Sequence, residues 1–116
     1  MTKIFELFDL LKFEVCDEVK DDVLTRKKCA KIIHEFLQKK ISEPDETDIE
    51  KAYVIKDLFD CRVCANHIAQ VYLKGIMDVF DLGQELVLFL PDKEVGTEQM
   101  RVYADRAINP SKREKP

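Results

Sequence analysis

The sequence predicts an all-α protein, a small bundle of about five to six helices, and three observations lead there. Apolar residues recur at steps of three and four along most of the chain, the period of a half-buried helix. Only three glycines and four prolines interrupt 116 residues, of which 46% are hydrophobic and 36% charged, a balance that suits compact helices better than a β-rich or disordered chain. A single apolar run, LVLF, has the look of a minor strand or of packed extended chain.

The first helix is expected over residues 3–19, with Ile4, Leu7, Phe8, Leu11, Val15 and Val19 as its stripe and Phe5 and Phe13 widening it. The acids Asp17, Glu18, Asp21 and Asp22 oppose the dipole of a helix C-terminus, so a break is expected at 20–22. Thr25 is an N-cap candidate for a second helix that buries Cys29, Ala30, Ile32, Ile33, Phe36 and Leu37 and closes on Lys39 and Lys40. His34 falls between those core positions and is expected at the surface or boundary. After a polar connection with Pro44, Thr47 and Glu50 have capping-box spacing, which starts a short third helix reaching about residue 56. A turn over 57–60 leads to a fourth helix over 61–74, with Val63, Cys64, Ile68, Val71 and Tyr72 inward and Gly75 as its stop. The last helix, 97–108, buries Met100, Tyr103, Ala104 and Ala107, and Asn109-Pro110 ends it. Residues 1–110 then make one domain, and 111–116 are expected to be a solvated, disordered tail.

Charge narrows the function classes. The net charge is −4 with both signs mixed, so no basic footprint argues for nucleic acid. The N-terminal segment carries Glu6 and Asp9 inside its apolar run and has no small-residue cleavage site, and no run approaches the ~18 apolar residues of a membrane span. A soluble, cytoplasmic chain in a reducing compartment is expected, one in which disulfides do not form. The acidic stretches 17–22 and 42–50 are expected to be solvated faces.

Two segments carry a family resemblance. IKDLFDCRVCANHIAQVYLKGIM, residues 55–77, and LFLPDKEVGTEQMRVYADRAI, residues 88–108, together resemble one S-layer homology repeat, with Ile68, Gly75-Ile76, Phe89, Pro91-Asp92, Val95, Met100, Arg106 and Ala107 in place. VLTRKKCAKIIHEFL, residues 23–37, is similar to the second half of another copy and keeps Thr25-Arg26. The resemblance implies helix-loop-helix repeats, a partial one over 3–40 and a fuller one over 47–108, with the helices of the fuller copy packed as a pair. It also implies cell-wall polysaccharide binding through an arginine-bearing loop of the TRAE type. Here that loop reads Gly96-Thr97-Glu98-Gln99, without the arginine, and Val63 stands where the family carries tryptophan. A planar fork of donors suits a sugar-borne carboxylate, and neither Thr nor Glu supplies it. The family packs three repeats around an axis and this chain has fewer, so either the first helix closes the missing side or a second chain covers it.

Three groups of residues remain as sites. Thr25 and Arg26, with Lys27 and Lys28 beside them, form a candidate anion or sugar contact at a helix start; the alternative is that Thr25 caps and Arg26 pairs with Asp21 or Asp22. Cys61, Cys64 and His67 have the residue types for three zinc ligands, with a fourth from Cys16 or Cys29, although on one helix the three diverge around its surface. The favoured reading is that Cys29 and Cys64 are small core hydrophobes, with zinc ligation next and a redox or disulfide pair last. No nucleophile-base set, paired carboxylates or glycine-rich phosphate loop is present, so catalysis has no candidate and no cofactor is expected unless zinc binds. The function expected is a non-enzymatic interaction module that takes a protein partner or a second copy of itself, the alternatives being wall-glycan binding and a zinc-stabilised or redox module.

Overall fold

Backbone pairing, more than helix contact, fixes where the second helix begins. The computed structural model describes residues 2–15 and 18–116. Among these, four α-helices are present: α1 (Ile4–Leu11), α2 (Arg26–Lys39), α3 (Ala65–Leu73) and α4 (Thr97–Ile108), with 3-10 segments at Ile49–Val54, Leu58–Asp60 and Pro110–Lys112. The segment leading into α2 is flanked on both sides. Ile4 N–H donates to the Asp22 carbonyl at 2.8 Å and Leu24 N–H to that of Thr2 at 2.9 Å. On the other side Val95 N–H reaches the Leu24 carbonyl and Arg26 N–H the Lys93 carbonyl, both at 2.9 Å. Thr25 then caps α2 as expected, its hydroxyl accepting from Lys28 N–H.

α1 stops earlier than the apolar period suggests. Lys12 takes a left-handed conformation at φ 51°, and Phe13 N–H closes back on the Phe8 carbonyl at 3.0 Å. Phe13, Val15 and Val19 still pack on the core, but as irregular chain. The stripe Ile4, Leu7, Phe8 and Leu11 is buried. The third helix expected to reach residue 56 is instead the 3-10 segment Ile49–Val54, and no side chain caps it. α3 begins at Ala65, four residues later than expected, because residues 61–64 form a turn. Val63, expected inward, is 85% exposed on that turn. α4 matches its expected span and buries Met100, Tyr103, Ala104 and Ala107.

α2 is the centre of the bundle, with α1, α3 and α4 packed on it and α1 also lying against α4. α3 and α4 do not pack as a pair, contrary to what the resemblance implies; each packs on α2 instead. Most of the apolar residues that carry the resemblance are nonetheless core residues, while Asp92 is exposed. Ile55, Ile68, Ile76, Phe89, Val95, Met100 and Ala107 are buried, and Asp57 accepts the N–H groups of Phe89 at 2.7 Å and Leu90 at 2.9 Å. That carboxylate holds Leu90 at φ 57°. The 76–90 connection carries a two-residue hairpin, β1 (Phe80–Asp81) against β2 (Val87–Leu88), antiparallel with Phe80 opposite Leu88.

The C-terminal residues are not a free tail. Gly75 takes φ 73° just past α3, and its carbonyl accepts from Glu114 N–H at 3.0 Å. Arg113 sends both terminal nitrogens to Glu43 at 2.9 Å and donates to the carbonyls of Arg106 and Ala107. The expected disorder fails because this guanidinium supplies a fork that a shielded carboxylate needs. Lys74, 2% exposed, completes the group with its ammonium 2.8 Å from Glu43 and 2.7 Å from the Pro44 carbonyl.

A Cβ on Gly75 meets the Glu114 carbonyl carbon and the Lys115 nitrogen, both at 2.5 Å, whereas a Cβ on Gly83 meets nothing within 4 Å although its φ is also positive. Gly83→Ala isolates the left-handed penalty, about 1–2 kcal/mol. Gly75→Ala adds a backbone clash and should lose distinctly more in urea unfolding while releasing residues 113–116, detected as faster amide exchange at Glu114. Equal losses for the two variants would mean that the C-terminal strap does not bear on α3.

Candidate functional site

Arg26 is where the sequence leaves two readings open, and the structure takes neither. It occupies the first position of α2 and is 2% exposed. Its Nε donates to the Phe89 carbonyl at 2.7 Å and its Nη1 to the Tyr103 hydroxyl at 3.0 Å, and Nη2 is bonded to the Asp78 carbonyl. Its Cζ lies 4.8 Å from the Phe80 ring centre, 4.4 Å from that of Phe89 and 5.9 Å from that of Tyr103. Carbonyl dipoles and aromatic faces, with no carboxylate among the described residues in ion-pair reach, satisfy the charge. Asp22 pairs instead with Lys28 at 3.4 Å, and Lys27 with Asp92 at 2.7 Å. Thr25, Arg26 and Lys28 are therefore neighbours in sequence that serve a cap, the core and a surface pair. The arginine fork that a glycan carboxylate needs is not presented to solvent here.

The cysteine cluster is more informative. Cys61 and Cys64 are joined in a disulfide with Cα atoms 5.2 Å apart, and both are half-buried in the turn that opens α3. The expectation that disulfides are absent is thereby overturned: Cys64 N–H bonds to the Cys61 carbonyl at 3.1 Å, a turn that brings the two side chains into bonding range. In this state neither sulfur is a thiolate available to zinc. His67 faces another histidine, and no group of three or more His, Cys, Asp and Glu among the described residues is arranged to hold a metal ion. Cys29 is fully buried, and its burial pushes the thiol up to about 12, so it is an inert core residue. The suggested fourth ligand Cys16 lies outside the described residues.

His34, expected near the surface, is 1% exposed and bonded at both nitrogens. Its Nε2 lies 2.7 Å from Asp45 Oδ1 and its Nδ1 2.8 Å from His67 Nδ1. The carboxylate only accepts, so His34 Nε2 carries a hydrogen. With both rings neutral, His34 Nδ1 is then the acceptor, His67 Nδ1–H donates to it, and His67 Nε2 is left with its lone pair. Partial burial and the neighbouring His34 charge hold the His67 pKa below its ordinary value. Burial raises the Asp45 carboxyl, but the His34 hydrogen bond and charge, with Asn66 and Gln38, outweigh it and leave the pKa below the usual carboxylate range.

His67 and Cys64 share a cavity of about 330 Å³ with Lys27, Lys28, Lys31 and Val63. A second cavity, about 280 Å³, is lined by Ile49, Tyr53, Leu58, Phe59 and Arg62, with Ala65 and Asn66 on α3. Tyr53 and Phe59 are 54% and 57% exposed and meet edge to face with ring centres 5.5 Å apart. Sequence reasoning found the cysteines and His67 but missed His34, Asp45 and this aromatic pair. The signal for the histidines was weak, since their partners lie 33 and 11 residues away.

Compared with protein-family models, with curated proteins and with solved structures, the chain matches none.

Two outcomes follow from these contacts. Arg26→Met leaves two carbonyls and a hydroxyl without their donor and should cost about 3 kcal/mol or more in urea unfolding, with Arg26→Lys a poor rescue because one ammonium does not reproduce the fork. A loss under about 1 kcal/mol would remove Arg26 from the centre of the fold. The second concerns acid. His67 is held below 6.5 in the folded state, so the unfolded chain protonates first, and stability present above that value is lost as pH falls toward the folded value. Glu43 behaves likewise below 4.5, because the Arg113 and Lys74 bonds outweigh its burial and lower its pKa. Urea midpoints should therefore fall in two stages on acidification, and His67→Gln should remove the first; a midpoint that is flat from neutrality to the carboxylate range contradicts this.

Proposed function

We propose that this chain is a non-enzymatic helical binding module that associates with a second copy of itself through the Tyr53–Phe59 surface. The observation that carries the reading is an aromatic pair more than half exposed above an apolar floor of Ile49 and Leu58, next to Val54 at 46% exposure. Aromatic rings anchor interfaces because they bury large apolar area and lose few rotamers. A second copy fits better than a strongly charged partner, since the exposed charges around the pair, Glu50, Lys51, Lys56, Asp60 and Arg62, are of both signs. Two-fold pairing sets such a patch on itself without a uniform repulsion. The patch is small, so the association is weak, of the micromolar class or looser.

α1 lies against both α2 and α4, so the fold closes that side without help and the association surface is elsewhere. Light scattering coupled to size exclusion, run from low concentration to about 100 µM, should show a mass rising from one chain toward two. Phe59→Ser should hold the mass at one chain without lowering the thermal midpoint, because the side chain is mostly solvated. A single-chain mass throughout, or a dimer that survives Phe59→Ser and Tyr53→Ser together, would overturn the assignment.

A further inference from the structure

The Cys61–Cys64 disulfide poses a different question, because its position does little for stability. It joins residues three apart in a turn already closed by a backbone hydrogen bond, and loop-closure entropy grows with the length of the loop that is closed. Its surroundings are those of a reacting sulfur. Cys64 holds the N-cap position of α3, and no side chain caps that helix. A thiolate there meets the free N–H groups and positive end of the first turn. The sulfur-bearing residue opens on the cavity of about 330 Å³, whose α2 wall carries Lys27, Lys28 and Lys31. Lys27 and Lys28 are each paired with one aspartate, and Lys31 has no ion pair among the described residues. His67, one turn along the same helix, lines that cavity and is oriented from behind by His34 and Asp45.

We infer that Cys61 and Cys64 form a redox-active pair that exchanges with a disulfide-bearing or dithiol partner, with Cys64 as the attacking sulfur, His67 as its proton acceptor, and His34 and Asp45 as positioning residues. From the reduced pair, the Cys64 thiol gives its proton to His67 Nε2 and attacks one sulfur of the partner disulfide. The partner S–S bond breaks, a Cys64–partner disulfide forms, and the first partner sulfur leaves as a thiolate that recovers the proton from His67. Cys61 then attacks Cys64 Sγ, the intermolecular bond breaks, and the second partner sulfur leaves with the Cys61 proton. Two electrons pass from the protein dithiol to the partner disulfide, which ends as two thiols, and the bond between Cys61 and Cys64 is the product. The reverse sequence, with two partner thiols as reductant, restores the dithiol. One pair is consumed per chain, so the exchange is stoichiometric and goes beyond the contact surface proposed above.

The pair is tested by equilibrating the whole chain in mixtures of reduced and oxidised glutathione near neutrality, quenching with acid and counting free thiols by peptide mass. Cys61 and Cys64 should pass between dithiol and disulfide within the glutathione range, and in the reduced protein iodoacetamide should modify Cys64 roughly ten-fold faster than Cys61. Cys61→Ser should trap one glutathione on Cys64, which reports the attacking sulfur even if the reduced wild-type chain is less stable. His67→Gln should slow Cys64 alkylation roughly ten-fold and flatten its pH profile while leaving the circular dichroism unchanged. A disulfide that stays closed in millimolar reduced glutathione is structural, and that outcome overturns the inference; so does a Cys64 that reacts no faster than Cys61.

Discussion

The fold depends on one buried cation. Arg26 sits at the start of the central helix and binds, through three different nitrogens, the carbonyls of Phe89 and Asp78 and the hydroxyl of Tyr103. Those partners belong to the long connection after α3 and to α4, so a single side chain fastens both to α2. An ammonium or an aliphatic side chain at this position lacks the directed fork, and a free charge in the same place costs more than the fold can supply. The surrounding rings of Phe80, Phe89 and Tyr103 exclude water and still offer the guanidinium their electron-rich faces.

The same logic recurs where the helices are fewest. Asp57 satisfies two N–H groups of a bend that has no helix or sheet partner, and Glu43 gathers Lys74 and Arg113 so that the C-terminal strap closes over the end of α3. Each of these polar groups stands in for secondary structure that the connecting segments lack. In a chain with short helices and a hairpin of two-residue strands, buried hydrogen bonds across long sequence separations set the path of the loops.

Polar residues also divide the surface into two regions with different chemistry. Between α2 and the turn before α3 lies the disulfide with its histidines and lysines, and on the other side of that turn lies the Tyr53–Phe59 pair. Val63 stands between the two cysteines at 85% exposure, so the turn itself is held out to solvent while Ala65 and Ile68 anchor it beneath. The turn before α3 thus borders both cavities, Arg62 lining one and Val63 and Cys64 the other.

The apolar period by itself determined that the chain is helical, that Thr25 begins the central helix, that α4 spans residues 97–108, and which faces of α2 and α4 are buried, because each of these rests on local spacing and capping. The CxxC spacing and the histidine three residues on singled out Cys61, Cys64 and His67. Only the tertiary structure decided that α1 ends at Leu11, where Lys12 turns left-handed, and that Val63 faces outward. It likewise decided that Arg26 and His34 are interior and that residues 113–114 are strapped down. The end of α1 and the outward Val63 turn on short backbone-closed turns that interrupt the apolar period. Arg26, His34 and residues 113–114 each turn on a hydrogen bond or ion pair to a group remote in sequence, and charge, unlike apolar periodicity, does not reveal along the chain which partner will meet it.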